Sequence, residues 1–170
     1  GNVEKALDNL RNKNLLNPKG IVEIDQKIIE GLIKPTGFYK QKTTRIKRIS
    51  KAIINKKGVE NFLEQKNLRD KLLSIKGVGP ETADCIVLYA AEQPTFVIDS
   101  YTKRILNRTE GTKGNYINLQ SYFEERLNKN VELFQEFHAL LVELGKNYCK
   151  TKPKCQECPI SMSCNYFNNS

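Results

Sequence analysis

The stretch that decides the fold is Lys76-Gly77-Val78-Gly79-Pro80-Glu81-Thr82-Ala83-Asp84. Two glycines within three residues permit a sharp turn and let backbone approach another molecule closely. Pro80 suits the first turn of a helix, where its missing N–H costs nothing. Upstream, Asn67 can cap a helix that carries Leu68, Leu72 and Leu73 and ends at Ile75. Downstream, a helix continues from Glu81 to about Ala91. The segment from about 67 to 91 therefore reads as two helices joined by a five-residue hairpin. Outward-facing amides beside the positive end of a helix dipole form a phosphate site. That makes Lys76, Gly77, Val78, Gly79 and Thr82 candidate contacts to a nucleic-acid backbone, made without reading bases. A Gly-x-Gly turn between packed helices that bind nothing is the alternative.

Outward from the hairpin, nearly every apolar pattern has helical period. Val3, Ala6, Leu7 and Leu10 open the chain, and Ile24, Ile28, Ile29 and Leu32 form a second helix closed by Pro35-Thr36-Gly37. A basic helix runs from Tyr39 to about Asn55, with Ile46, Ile49, Ile53 and Ile54 inward. Lys40, Lys42, Arg45, Lys47, Arg48 and Lys51 surround them, as a solvated face or a DNA-contacting one. A shorter helix spans Val59 to Glu64. Beyond Gln93-Pro94, Phe96-Val97-Ile98 gives an extended piece, and Asp99 or Ser100 can cap a helix that ends near Arg108. Two further helices, Asn118 to Leu127 and Val131 to Tyr148, supply Leu119, Tyr122, Phe123, Leu133, Phe134, Phe137, Leu140, Leu141 and Leu144 as core. The expected fold is all-α.

Composition bounds the function. With 39% apolar and 28% charged residues among 170, the chain fits a globular protein and excludes collagen-like or wholly disordered classes. No apolar run spans a bilayer and no leader opens the chain, so the sequence reads as intracellular, cytoplasmic and without a membrane partner. A net charge of +9 favours a polyanion. Cys149, Cys155, Cys158 and Cys164 lie within sixteen residues, too close together for two unstrained disulfides. One Cys-x2-Cys flanked by longer arms suits an iron-sulfur cube as well as or better than zinc. Cys85 stands apart as a buried thiol, and His138, the single histidine, falls in an apolar run as a hydrogen-bonded core residue.

Leu72 to Asp84, followed by Val97-Ile98-Asp99-Ser100-Tyr101-Thr102-Lys103-Arg104, resembles the helix-hairpin-helix and Gly/Pro-rich-plus-Asp signature of the endonuclease III superfamily of DNA glycosylases. The resemblance runs from about Gly1 to Cys164. It implies release of a damaged base flipped from double-stranded DNA into a pocket. Asp99 would be the catalytic carboxylate rather than a plain helix cap, stabilising the cationic sugar and orienting water. At Glu81, family members that cut the strand carry a lysine whose amine forms a Schiff base, which a carboxylate cannot do. The resemblance is nearest to the branch that removes 3-methyladenine and related alkylated purines, with Phe38 and Tyr39 as candidate pocket aromatics. It also implies a [4Fe-4S] cluster on the four C-terminal cysteines, although the first spacer is one residue shorter than the family's. Lys150, Lys152 and Lys154 would then meet phosphates.

The expected organisation is two-lobed. Residues 1–94 would form a helical lobe with the hairpin, and 95–170 a second helical lobe with the cluster loop 149–164. The family's first helices have no counterpart before Gly1. A monomeric, monofunctional glycosylase for alkylated purines is the leading reading. A mismatch or oxidised-base glycosylase, with or without lyase activity, is the second. A DNA-binding module without catalysis is the third.

Overall fold

Helical spacing becomes helix almost everywhere the sequence marks it. A computed structural model describes residues 1–169, and among them no β-strand occurs. The α-helices are α1 (Asn2–Arg11), α2 (Pro18–Glu23), α3 (Gln26–Ile33), α4 (Tyr39–Asn55), α5 (Val59–Leu63), α6 (Leu68–Leu73), α7 (Pro80–Tyr89), α8 (Ser100–Glu110), α9 (Tyr116–Glu124), α10 (Val131–Asn147) and α11 (Asn165–Asn168). None is long and apolar enough to cross a membrane.

The chain divides into two compact units, Gly1–Gly79 and Pro80–Ser170. The division falls inside the hairpin, ahead of the lobe boundary that the sequence placed at Pro94. The cause is α7, which gives Leu88 and, less deeply, Cys85 to the apolar core of the second unit.

The first unit packs Ala6, Leu10, Leu15, Ile21, Ile29 and Ile33 together. Helix α2 was not apparent from apolar spacing. It is set by local chemistry: Asn17 accepts the Gly20 N–H at 2.7 Å, and Pro18 follows at the first position. Three basic residues of α4 serve the fold. The Lys47 ammonium donates to the Val22 and Ile24 carbonyls at the end of α2, where a cation meets the negative pole of the helix. Lys42 donates to the Thr36 carbonyl at 2.7 Å, and Arg48 to that of Lys76 at 2.7 Å. Ile28 and Ile54, expected inside, are exposed, and Thr43 and Ser50 take the buried places on α4. Asn67 stands at the start of α6 in a left-handed conformation (φ 58°) and makes no side-chain cap.

The second unit is built around Phe96, which stacks on Phe123 at 4.1 Å and meets Phe134 edge-on at 5.3 Å. Thr95 to Ile98 are buried and belong to neither helix nor strand. Their backbone groups find partners on one face of α9 instead. The Phe96 N–H donates to Glu124 Oε1 (2.8 Å), Gln120 Nε2 donates to the Phe96 carbonyl (2.7 Å), and the Ile98 N–H donates to the Tyr116 hydroxyl (3.3 Å). Residues 116, 120 and 124 recur every four positions, so one helix edge does the work of a neighbouring strand. Gln120 Nε2 also reaches the buried Asp84 Oδ2 at 2.8 Å, which Tyr116 hydrogen-bonds as well. On α10 the buried positions are Phe134, His138 and Gly145; Leu140 lies off that face and is exposed, contrary to the pattern reading.

Candidate active site and metal centre

The buried run Phe96-Val97-Ile98 delivers Asp99 to the start of α8. Its Oδ1 accepts the Thr102 N–H at 2.7 Å, so it is the helix cap that the sequence allowed. Capping uses only one oxygen. Oδ2 faces His138 Nε2 at 3.9 Å, and the Asp99 side chain is 14% exposed. One carboxylate is thus fixed by a helix N-terminus and still presents an oxygen for chemistry.

Glu81, in the first turn of α7, belongs to the same electrostatic neighbourhood. Burial raises its carboxyl above the usual carboxylate range; the charge of Asp99 adds to this and that of Lys103 opposes it. Cys85, one turn further along α7, is pushed up to about 11, by burial first and then by Glu81, Asp99 and Asp84. Its thiol is therefore protonated at neutral pH, in keeping with a packed rather than reactive cysteine. Tyr89 ends α7, and its hydroxyl lies 2.8 Å from His138 Nδ1. Gln135 Nε2 donates to the Leu88 carbonyl at 3.0 Å, which holds α10 against the end of α7. His138 is buried, and burial lowers its pKa despite the opposing pull of Asp99. It is the hydrogen-bonded core histidine that the sequence suggested, and it also faces the carboxylate, which periodicity could not reveal.

The hairpin residues of the first unit, Lys76, Gly77, Val78 and Gly79, are exposed except Val78. The Val78 N–H closes the turn on the Ile75 carbonyl at 2.9 Å. Gly77 has φ 94°, and a Cβ there would meet Arg45 Cγ at 3.3 Å, so both backbone and space call for glycine. Gly79 has open space around it. Arg45 and Arg48 of α4 thus lie against the turn and add guanidinium charge beside Lys76. Thr82 sits on the first turn of α7, half-buried in the second unit. Phe38 is 81% exposed in a left-handed conformation (φ 47°), so it is no core residue, whereas Tyr39 packs against the core of the first unit.

Cys149, Cys155, Cys158 and Cys164 line one narrow cavity, with Tyr148, Pro153, Ile160 and Phe167 among its walls. All are free thiols. Among the described residues no three His, Cys, Asp or Glu side chains are grouped closely enough to hold a single metal ion. The four thiols share the wall of that cavity with ten other residues. Two arginines of α8, absent from the sequence reading as site residues, secure this loop. Arg108 donates to Cys149 Sγ (3.3 Å), to the Lys150 carbonyl (2.6 Å) and to the Thr151 carbonyl (3.1 Å). Arg104 donates to the carbonyls of Cys149 (2.7 Å) and Gly145 (3.3 Å). Their spacing of four on the helix that Asp99 starts was the available signal. The Arg108 guanidinium against the Cys149 thiol would offset the negative charge of a thiolate-bound group.

Residues 1–132 match the family described as HhH-GPD superfamily base excision DNA repair protein. A Methanocaldococcus jannaschii protein named as a DNA repair glycosylase is 40% identical over 170 residues, covering 96% of this chain and 77% of that one. Endonuclease III of Thermotoga maritima is 30% identical over 171 residues, covering 98% and 76%. Among solved structures, the H. pylori 3-methyladenine DNA glycosylase bound to 1,N6-ethenoadenine is similar with a TM-score of 0.78. It is 30% identical, and the match covers 85% of this chain and 77% of that one.

Proposed function

The chain belongs to the HhH-GPD superfamily of base excision DNA repair proteins, and on that premise we propose that this DNA glycosylase releases alkylated purines of the 3-methyladenine type by direct hydrolysis, leaving the strand uncut. The observation that carries the proposal is the pairing of Asp99 with Glu81. Asp99 presents one oxygen beyond its helix cap, and the residue in the first turn of α7 is a carboxyl rather than an amine. The likeness to the H. pylori 3-methyladenine enzyme supports the substrate class.

In this mechanism the bond between C1′ and the base nitrogen breaks, and its electron pair leaves with the base. An N3- or N7-alkylated purine carries positive charge and departs neutral, so it needs little acid assistance. The sugar becomes oxocarbenium-like, and the Asp99 carboxylate stabilises that charge and takes the proton of the water that attacks C1′. Without an amine at position 81, no Schiff base forms there and no strand-cutting elimination follows. Lys76, Gly77, Val78, Gly79 and Thr82 hold the DNA backbone, with Arg45 and Arg48 adding charge at the turn. Phe38, being exposed, is available to DNA bases, while Tyr39 packs against the core of the first unit. The four cysteines fit a [4Fe-4S] cluster, which would stiffen the loop that carries Lys150, Lys152 and Lys154 and take no part in the hydrolysis.

A second reading, an endonuclease III-type activity on other bases, is favoured by the 30% identity to the T. maritima enzyme. One experiment separates the two. Duplexes carrying 3-methyladenine, uracil, thymine opposite guanine or an oxidised pyrimidine are incubated with the protein and split into samples with and without alkali. Free 3-methyladenine with strand breaks only after alkali is the expected result. Breaks without alkali, or a borohydride-trapped covalent adduct, would refute the hydrolytic reading.

A further inference from the structure

His138 is the chain's only histidine. Its Nδ1 meets the Tyr89 hydroxyl at 2.8 Å, and its Nε2 is buried, without a hydrogen-bond partner, 3.9 Å from Asp99 Oδ2. Among the described residues three buried side-chain polar atoms lack a partner, and two of them, His138 Nε2 and Thr102 Oγ1, belong to residues that meet Asp99. A carboxylate in front of Nε2 favours N–H there over a lone pair. Nδ1 is then the acceptor and the Tyr89 hydroxyl the donor. A separation of 3.9 Å is too long for a direct hydrogen bond. Nε2 has almost no accessible surface, so no water stands between them and an N–H dipole faces the carboxylate directly.

We infer that His138 is a positioning residue for Asp99: the Nε2–H dipole holds Oδ2 while the Thr102 N–H holds Oδ1, so the carboxylate keeps the orientation in which it takes the proton of the hydrolytic water. This rests on Asp99 being the catalytic carboxylate. In the step itself the base leaves with the bonding electrons, the water oxygen bonds to C1′, and the water proton passes to Asp99. His138 ends as it began. Tyr89 fixes the tautomer, so a residue of α7 sets the donor on α10.

The arrangement has a sign in pH. Tyr89, Glu81 and Cys85 on α7, and Asp99 with Lys103 at α8, are the titratable groups around the pair. Burial holds His138 below the ordinary histidine value of 6.5, so the ring is neutral at pH 7. In acid, protonated Nδ1 can no longer accept from Tyr89, and the cation pulls Asp99 Oδ2 onto Nε2 and away from the attacking water. Base release should fall with a midpoint below 6.5.

With one histidine, long-range proton–nitrogen NMR of the wild-type protein reports this ring alone. The expected spectrum at pH 7 is the neutral Nε2–H tautomer, losing that preference in Asp99→Asn. Single-turnover purine release is then read on dimethyl sulfate-treated duplex DNA. His138→Ala should be about 10- to 100-fold slower with DNA binding unchanged. His138→Gln, whose amide N–H can replace the donor, should recover most of the rate without the acid limb. Tyr89→Phe keeps the aromatic ring and removes only the hydroxyl, and should slow release about fivefold. A Nδ1–H or charged ring at pH 7 overturns the inference, as does His138→Gln no faster than His138→Ala. So does an acid limb that survives His138→Gln and vanishes in Glu81→Gln. Undiminished release by Asp99→Asn would instead sink the catalytic role of Asp99, leaving the tautomer result as a separate finding.

Discussion

Replacing Gln120 with leucine removes the donor that joins three acceptors of the second unit. The side-chain volume is nearly kept, so no large cavity opens. Asp84 Oδ2 and the Phe96 carbonyl lose partners at 2.8 and 2.7 Å in a region closed to water. Each buried acceptor left short costs about 1–3 kcal/mol. Two of them make the loss about 4 kcal/mol, which for a chain of this size lowers the melting temperature by roughly 8–16 °C. Circular dichroism melts of wild type and Gln120→Leu measure this directly. Purine release should fall as well, because the Phe96–Ile98 run that Gln120 secures leads straight into Asp99 and small displacements of a catalytic group are costly. Gln120→Glu provides the sign check. It sets a second carboxyl against Asp84, so its deficit should be larger at pH 8 than at pH 4, where a protonated carboxyl can donate. A melting temperature within about 2 °C of wild type for Gln120→Leu would refute the argument.

Gly145→Ala should destabilise by about 1–3 kcal/mol, since the new Cβ would lie 2.5 Å from Tyr101 Cδ1 and 2.8 Å from its Cβ; chemical denaturation reads the loss. The carboxyl of Glu81 is raised in the folded state above 4.5, so its ionised form is disfavoured there and its penalty exists only above that range. Glu81→Gln should accordingly melt slightly higher than wild type at pH 7 and show no advantage at pH 4. With its thiol pushed up to about 11, Cys85 should resist iodoacetamide at pH 8 in the folded protein and react after unfolding, as peptide mass spectrometry would show. Cys158→Ser should lower iron and acid-labile sulfide content in anaerobically prepared protein, and an unchanged, zinc-only composition in wild type would exclude the cluster.

Much of the fold was legible because helices announce themselves. The spacing marks a helix from Tyr39 to about Asn55, which α4 matches, and Gly77-Val78-Gly79 marks the turn by its two glycines. Helix α2 escaped because its evidence is an Asn-Pro cap and a lysine twenty-odd residues later, not an apolar period. The boundary near Pro94 misplaced α7, since proline marks a break in helix and says nothing of which core a helix joins. At the site, position alone marks Asp99 as a helix cap, and its catalytic reading comes from the family resemblance. The partners of the run before it could not be nominated, because Tyr116, Gln120 and Glu124 look like ordinary polar positions until α9 is laid beside residues 95–98. His138 presents the same difficulty: one face of a helix is visible in sequence, whereas a distance of 3.9 Å to a residue on another helix is not.

The segment from Thr95 to Ile98 makes its backbone bonds to side chains rather than to a strand. A strand offers a repeating row of equivalent partners, so a chain can slide along it by two residues and pair again. Three unlike side chains on a helix offer no such repeat. Gain or loss of a single residue between Gln93 and Asp99 would leave every bond mismatched, with no alternative alignment to fall into. This part of the molecule should accordingly tolerate changes of side chain far better than changes of length, and an unpaired segment that elsewhere would invite another chain has no edge to offer.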